Sequence, residues 1–259
     1  MARLKLFDSH AHLECEAFDE DREAVLAEIE ANLAGVINPG CDRKSSQQAM
    51  DLAAKYPFIW AAVGWHPEEI GRMVDEDLVL MEKWCANPKV VAIGEIGLDY
   101  YNDEDAPHEL QRQRFIEQLH LAKKVGLPVI IHDREAHGDT MDLIKREGKG
   151  VTGVFHCYSG SLEMAKEIIK MGWYLGFGGT STYKNAKKVA AVLTWVPENR
   201  LLFETDSPYL TPVPFRGKRN KSTYTELVVL NAANLRCQHA SELMEISTKN
   251  LKNLFFKVN

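Results

Sequence analysis

The sequence lacks the features of a membrane, secreted or disulfide-stabilised protein. No apolar run approaches the roughly 18 residues of a membrane-spanning helix, and the N terminus reaches Asp8 before a signal-peptide core could form. The cysteines are few, widely spaced and odd in number, with no Cys-x-x-Cys pair. We therefore expect a cytoplasmic protein with free thiols and no membrane association. The five cysteines are Cys15, Cys41, Cys85, Cys157 and Cys237.

An excess of basic charge is also lacking. The net charge of -6 argues against a protein coated in basic surface for nucleic acid. A local basic patch remains possible, because the field near a cleft depends on the charges around it. The length of 259 residues and the 45% hydrophobic content suit two small domains or one large α/β barrel. Since no linker or low-complexity segment interrupts the chain, we expect one domain over residues 1–259. A barrel of this size needs no partner to bury its core, so we expect a monomer.

Short apolar segments and helical patterns alternate along the chain. Eight such strands, each followed by a helix, predict a parallel sheet closed into a (β/α)8 TIM barrel. An open doubly wound sheet is the alternative, with its site at one switch point. Polar clusters follow the first, fourth, fifth, sixth and eighth strands, which favours the barrel. The strands are predicted at residues 4–6, 35–40, 58–63, 89–93, 128–131, 151–155, 173–177 and 201–203. Helices are predicted near residues 19–33, 42–55, 79–84, 108–125, 139–147, 161–171 and 185–193, with two or three more after the eighth strand.

The first strand leads into a His-x-His pair, His10 and His12. Side chains alternate along a strand, so both imidazoles point to the same side. Such a pair suits a divalent metal of the zinc, manganese or iron type. Alone the pair is weak evidence, since two histidines near an N terminus are often surface polar residues.

Four more ligand-type side chains stand at the ends of other predicted strands. They are Glu95 after the fourth strand, His132 after the fifth, His156 after the sixth and Asp206 after the eighth. Each has an ordinary alternative role as a cap, a turn residue or a hydrogen-bonding group. In a barrel, however, the carboxyl ends of the strands converge on one mouth. Six ligands exceed the need of one tetrahedral ion and suit two ions that share a bridging carboxylate.

Several blocks of sequence resemble the TatD family of metal-dependent hydrolases, a branch of the amidohydrolase-like barrels. They occur in the family's order between residue 6 and about residue 254. The blocks are Asp8-Ser9-His10-Ala11-His12, Gly94-Glu95-Ile96-Gly97-Leu98-Asp99-Tyr100, His156-Cys157-Tyr158-Ser159-Gly160, Glu204-Thr205-Asp206-Ser207-Pro208-Tyr209-Leu210 and Pro212-Val213-Pro214-Phe215-Arg216-Gly217-Lys218-Arg219-Asn220.

The resemblance implies a magnesium-dependent DNase, often a 3′-to-5′ exonuclease, with deacylation of D-aminoacyl-tRNA as the other activity linked to the family. It also implies a division of the ligands between two ions. One ion would be held by His10, His12 and Asp206; Glu95 would bridge, and His132 and His156 would hold the second. Related barrels bridge with a carboxylated lysine where this chain has Glu95. We expect Mg²⁺ or Mn²⁺ in action, with Zn²⁺ possible because four histidines favour softer metals.

The expected chemistry is metal-assisted hydrolysis of a phosphodiester. Asp206 is the candidate base, because it would touch both the metal and the attacking water. Cations near the strand ends would stabilise charge on the phosphoryl oxygens. The candidates are Arg134, Arg216, Lys218 and Arg219. The alternative for the last three is a solvated basic turn.

Other polar and aromatic residues have open roles at the same end of the strands. His66 follows the third strand and would contact substrate or cap the loop before Pro67. Three tyrosines on the loops would stack bases or pack in the core or rim. These are Tyr100, Tyr158 and Tyr183.

Three functions are compatible with these residues. The first is a phosphodiesterase acting on DNA ends, which the basic loop after the eighth strand favours. The second is a hydrolase of esters, amides or lactones, including the aminoacyl ester on tRNA, which the acidic net charge favours. The third is a non-catalytic metal-binding protein, and it is disfavoured because six ligands over two ions leave room for water.

Overall fold

The computed structural model describes residues 5–256. Within that range eight strands alternate with nine α-helices, and the strand order in the sheet follows the chain from first to last. The strands are β1 (Phe7–Asp8), β2 (Gly35–Pro39), β3 (Ile59–Val63), β4 (Val90–Asp99), β5 (Val129–Arg134), β6 (Gly153–Phe155), β7 (Tyr174–Phe177) and β8 (Leu201–Phe203). The helices are α1 (Arg22–Asn32), α2 (Arg43–Lys55), α3 (Asp75–Trp84), α4 (His108–Val125), α5 (His137–Glu147), α6 (Leu162–Lys170), α7 (Lys187–Trp195), α8 (Thr225–Arg236) and α9 (Ala240–Phe255). The predicted class, a (β/α)8 TIM barrel, is confirmed.

Several helix ends follow directly from local sequence. Asp42 caps α2 as predicted, and its carboxylate accepts from the Ser45 N–H at 2.7 Å in a capping box. The predicted helix over residues 108–125 matches α4, which ends at Gly126 in the left-handed conformation. Ser161 caps α6 through the Met164 N–H. These signals are short-range, which is why they are legible in sequence.

The strands that carry Glu95 and His132 are longer than predicted. Glycines and polar residues suggest a strand end at Ile93, yet β4 continues to Asp99 and β5 to Arg134. Gly97 pairs with His132 at φ +146°, and a β-carbon there would run into the His132 carbonyl. Glycine at position 97 therefore allows β4 to stay paired with β5 beyond the predicted strand end at Ile93. The start of the first strand differs too, since β1 is Phe7–Asp8, and the predicted position of Leu4 lies outside the described residues.

The chain divides into two compact units. The first comprises residues 5–38 and 156–256. In it β1 pairs in parallel with β2 and β7 with β8, and a bridge joins Ala11 to Ser207. Large fully buried side chains form its core. They include Phe18, Leu26, Ile29, Phe177 and Phe203.

The second unit comprises residues 39–155. Strands β3 to β6 pair in parallel in chain order. Their residues are buried almost without interruption up to the last three residues of β5, as expected for a parallel sheet covered on both faces. None of the helices within residues 5–256 has the length and apolar character needed to cross a bilayer.

Candidate metal centre

His10, His12 and Asp206 form a tight triangle of ligand-type atoms in the first unit. The two Nε2 atoms of the histidines are 3.1 Å apart. Asp206 Oδ1 lies 3.6 Å from His10 Nε2 and 3.5 Å from His12 Nε2. Ligand atoms about 2.1 Å from one ion, at angles of 90–109°, are about 3.0–3.4 Å apart. The donor set and its spacing therefore fit one divalent ion.

Backbone hydrogen bonds hold this triangle together. The Asp206 N–H donates to the His10 carbonyl at 2.9 Å, and the His12 N–H donates to the Ser207 carbonyl at 2.8 Å. Asp206 itself has φ +59°, a conformation that non-glycine residues adopt mainly where surrounding structure imposes it. Burial raises the pKa of Asp206, but His12, His10 and His156 lower it more, so the net pKa is below its ordinary value. The carboxylate is thus ionised near neutral pH.

His156 and Glu204 extend the cluster in the first unit. The His156 ring stacks on His10 with centroids 4.1 Å apart, and His156 Nδ1 lies 3.7 Å from Glu204 Oε1. His10, His156 and Glu204 bring one ligand atom each within 4.8 Å of one another. Glu204 is fully buried and accepts from the backbone N–H of Cys157. Burial raises its pKa to about 8.

The sequence analysis did not select Glu204 as a site residue. The signal was available, since it is a charged residue that directly follows the apolar strand β8. Room for its carboxylate comes from Gly176 in β7, where a β-carbon would lie 2.9 Å from Glu204 Cδ. Because Gly176 has no side chain, β7 leaves the space that the buried Glu204 carboxylate occupies.

Glu95 and His132 meet in the second unit, together with His66. His132 Nδ1 lies 2.9 Å from Glu95 Oε1, and His66 Nε2 lies 3.7 Å from the same oxygen. The three side chains bring one ligand-type atom each within 4.8 Å of one another. The Nδ1 atom of His66 also accepts from the Glu68 N–H at 3.2 Å. His66 therefore caps its loop, as one alternative predicted, and belongs to a ligand-type cluster.

Asp99 orients His132 from the opposite side of the ring. His132 Nε2 is 2.9 Å from Asp99 Oδ2, which is the carboxylate–histidine arrangement that commonly fixes a ligating imidazole. Burial lowers the pKa of His132, but the bonds to Asp99 and Glu95 raise it to about 10 overall. The pKa of Asp99 falls to about 2 despite burial, chiefly through His132. Glu95, Gly97 and Asp99 are spaced by two along one strand and therefore lie on the same face. This spacing is the sequence signal that could have identified Asp99.

The predicted substrate cations separate into two kinds. Arg219 forms a two-pronged ion pair with Asp21, at 2.8 and 2.6 Å. Arg219 also lies over a ring, with its guanidinium 4.8 Å from the Phe18 centroid. Arg134, Arg216 and Lys218 are exposed, lie over aromatic rings and have no carboxylate within 4 Å in the part of the chain that the structure describes. The ring centroids are 4.0 Å away for Arg134 over Tyr101, 4.3 Å for Arg216 over Tyr183 and 5.8 Å for Lys218 over Phe215.

The three tyrosines considered for base stacking are held by hydroxyl hydrogen bonds. Tyr100 donates to Asp139, Tyr158 to the Ser161 carbonyl and Tyr183 to the Thr211 carbonyl. Two other tyrosines are more open: Tyr101 is 64% exposed and Tyr209 is 54% exposed. The Tyr209 ring meets His12 edge-on at 6.1 Å. Stacking candidates beside the ligand clusters are therefore tyrosines that the sequence analysis did not single out.

The fold and these clusters define a class, a (β/α)8 barrel that carries histidine and carboxylate side chains able to bind metal near its strand ends. The chain belongs to the TatD related DNase family, whose profile matches residues 7–256. It is 46% identical over 252 residues to the uncharacterized metal-dependent hydrolase YabD of Bacillus subtilis, covering 96% of this chain and 98% of that protein. It is 31% identical over 258 residues to the 3′-5′ ssDNA/RNA exonuclease TatD of Escherichia fergusonii, covering 96% and 98% respectively.

A solved structure supports the same assignment. The crystal structure of the TatD homologue YjjV from Escherichia coli K12 matches with a TM-score of 0.91 at 33% identity, covering 97% of this chain and 98% of that one. The predicted family is therefore confirmed, and with it the assignment to metal-dependent hydrolases.

Proposed function

We propose that this chain hydrolyses phosphodiester bonds at the ends of DNA, as a 3′-to-5′ exonuclease that depends on divalent metal. The observation that carries the proposal is the His10–His12–Asp206 triangle, whose spacing fits a bound ion. The relative from Escherichia fergusonii, a 3′-5′ ssDNA/RNA exonuclease by name, supports the substrate.

We further propose that the ligands serve one centre with two ions. His10, His12 and Asp206 would hold the first ion, Glu95 would bridge, and His132 and His156 would hold the second. The support is the donor chemistry of each cluster and the fold class, in which strand carboxyl ends surround a single mouth. Bound metals supply Lewis acidity and a water of lowered pKa. Mg²⁺ or Mn²⁺ suits this use, and the histidines also suit Zn²⁺.

The chain's own groups have definite tasks in this proposal. Asp206, ionised at neutral pH, accepts the proton of the attacking water. Arg134, Arg216 and Lys218 bind phosphate oxygens and hold the substrate end in place. Arg219 is the least suited of the predicted contacts, because its guanidinium is already paired with Asp21.

The test is hydrolysis by metal-stripped protein to which Mg²⁺, Mn²⁺ or Zn²⁺ is returned. Single-stranded DNA with a 5′ label should shorten stepwise, and DNA with a 3′ label should release labelled mononucleotide at once. Asp206→Asn should lower the rate by roughly 10²–10⁴-fold. Asp142→Asn, at an exposed position of α5, is the matched control and should leave the rate unchanged.

A D-aminoacyl-tRNA is run in parallel, because the same ligands could serve cleavage of a carboxylic ester. Release of the amino acid without shortening of DNA would move the function to deacylation and overturn the nuclease assignment. Equal activity of Asp206→Asn and wild type on DNA would overturn the role of the triangle.

We also propose a monomer that works in a reducing cytoplasm. All five cysteines are free thiols, which supports the compartment. Light scattering of the purified protein tests the monomer.

A further inference from the structure

Two segments of the first unit contain basic residues and no acidic ones. Residues 179–197 follow β7 and residues 207–225 follow β8; together they hold seven lysines and arginines and no aspartate or glutamate. The chain as a whole has 37 acidic and 31 basic residues. The two segments are therefore basic in a chain that is acidic overall.

Five of these cations have no local counter-charge. Arg219 pairs with Asp21 and Lys221 with Glu28. The other five are exposed, and none of them lies within 4 Å of a carboxylate in the part of the chain that the structure describes. We name this group the basic tract: Lys184, Lys187, Lys188, Arg216 and Lys218.

Contacts between the two segments make the tract one surface. The Arg216 guanidinium lies 4.3 Å from the centroid of the Tyr183 ring. The Tyr183 hydroxyl donates to the Thr211 carbonyl at 3.0 Å, and the Val213 N–H donates to Thr182 Oγ1 at 2.9 Å. Arg216 of the β8 segment is thereby held against Tyr183, the residue next to Lys184 of the β7 segment.

The same segments border the ligand cluster of the first unit. Thr180 Oγ1 lies 3.6 Å from the Sγ atom of Cys157, the residue after His156. Asn220 donates to the Thr205 carbonyl at 2.8 Å, one residue before Asp206. A chain-like ligand with one end at the cluster can therefore continue onto the basic tract.

Two of the lysines occupy positions that disfavour positive charge. Lys187 and Lys188 are the first residues of α7, whose first turn has no acidic residue. The amino end of a helix carries partial positive charge, so cations there cost stability. An anionic ligand would offset that cost.

We propose that the basic tract binds the sugar–phosphate backbone of a single-stranded nucleic acid, from Arg216 and Lys218 at the substrate end outward to Lys184, Lys187 and Lys188. The inference rests on the proposed function and extends its substrate contacts by these three lysines. Lysines contact phosphates without reading sequence, and the exposed Arg216 guanidinium, held over the Tyr183 ring, offers a planar group on which a base can stack. The tract thus favours strands longer than the few nucleotides at the cluster.

The test measures binding without catalysis. Metal-free protein is titrated into fluorescent dT12, and the anisotropy is followed at several salt concentrations. A variant with Lys184→Gln, Lys187→Gln and Lys188→Gln is compared with wild type. The matched control is Lys166→Gln, Lys249→Gln and Lys252→Gln, which removes three exposed lysines of the same unit.

The expected effect follows from counterion release. Each neutralised phosphate of a single strand contributes about -0.7 to the slope of log K against log salt. Five contacts give a slope near -3.5, so wild type should lose roughly 100-fold in affinity between 50 and 200 mM salt. The tract variant should lose roughly 7-fold, a slope shallower by about 2. The control variant should match wild type.

Length dependence supplies a second readout. Hydrolysis of bis(p-nitrophenyl) phosphate and of a dinucleotide should be unchanged in the tract variant. For dT12 the KM should rise at least tenfold with kcat unchanged. Equal salt slopes in wild type and tract variant, or equal KM values on dT12, would overturn the proposal. Displacement of dT12 by polyglutamate at the same charge concentration would overturn the assignment to nucleic acid.

Failure of this inference and failure of the proposed function are distinguishable. DNA hydrolysis with the same KM in wild type and tract variant would overturn the proposed binding by the tract and leave the exonuclease assignment in place. Tract-dependent binding of dT12 by a protein that never shortens DNA would overturn the exonuclease assignment and uphold the tract.

Discussion

Asp99→Asn should disable His132 as a metal ligand while leaving the shape of the site intact. In wild type, Asp99 Oδ1 accepts from the N–H groups of Tyr101 and Asn102, both at 2.9 Å, while Oδ2 faces His132 Nε2. Because two backbone N–H groups donate to Oδ1, the atom at that position must remain an oxygen in the variant. In the variant the new Nδ2 group would face His132 Nε2, and a donor would meet the imidazole N–H.

The ring has one way to avoid this clash. His132 can move its proton to Nδ1, the nitrogen that faces Glu95 at 2.9 Å. That nitrogen then has no lone pair for a metal. If the introduced amide instead turned its oxygen toward His132, the two backbone N–H groups would lose their acceptor, at about 1 kcal/mol or more each. The first outcome removes Nδ1 as a ligand, and the second keeps Nδ1 only at the cost of two backbone N–H groups without their acceptor.

The magnitude is set by what the carboxylate does for the ring. Loss of a partner that orients a ligating histidine typically lowers metal affinity 10–100-fold, equivalent to about 1.4–2.8 kcal/mol. We expect that loss for Mn²⁺ binding in Asp99→Asn, measured by calorimetric titration. The pKa of His132, raised to about 10 in the metal-free wild type, should fall in the variant because a charged acceptor is gone.

Asp103→Asn is the matched control. It removes a carboxylate 2.7 Å from a histidine, His108, outside the ligand clusters, and Mn²⁺ affinity should not change. Long-range ¹H–¹⁵N spectra of the imidazole, recorded with Mg²⁺ bound so that the ring is neutral, report the tautomer directly. Wild-type Mn²⁺ affinity in Asp99→Asn, together with an unchanged His132 tautomer, would refute the reasoning.

Three further predictions test the fold and its surface. Gly97→Ala should lower the melting temperature strongly or prevent folding, because the new β-carbon would meet a β5 carbonyl at φ +146°; Gly138→Ala, with nothing within 4 Å, should be neutral or slightly stabilising in thermal melts. Burial raises the pKa of Cys85 to about 12, so at pH 8 about 10⁻⁴ of it is thiolate, and peptide mapping should show alkylation of exposed Cys237 long before that of Cys85; equal labelling rates in the folded protein would contradict this. Arg219→Ala should leave dT12 affinity unchanged, since its charge is already paired, and a tenfold loss in the anisotropy assay would show instead that the arginine reaches the substrate.

The success of the sequence analysis has a physical basis in local and periodic signals. The helix α4 is delimited by its own apolar spacing and by Gly126, and α2 by the cap at Asp42. Neither signal depends on a distant part of the chain. The family motifs work in the same way, because their residues are consecutive. The order of strands then follows from the regular alternation of strand and helix.

The misses have a different cause. Strand β4 runs past Gly94 because β5 lies alongside it, and the pairing of Gly97 with His132 cannot be read from either segment alone. Asp99 and Glu204 looked like motif neighbours of ligands, and their contacts with His132 and His156 exist only in the folded chain. A residue's task at a site is decided by what its side chain meets, which a single sequence does not contain.

The basic loop illustrates the same limit for charge. Arg216, Lys218 and Arg219 are near neighbours in sequence and all three lie over aromatic rings, yet among residues 5–256 only Arg219 of the three is paired with a carboxylate, that of Asp21. The net charge of -6 counts all of them equally and hides the cations that have no counter-charge. Association with a polyanion depends on the field where the polyanion lies, and acid-free segments beside a site shape that field more than the total does. A mildly acidic protein can therefore carry a surface fit for nucleic acid, and charge is better judged by segment and by partner than by sum.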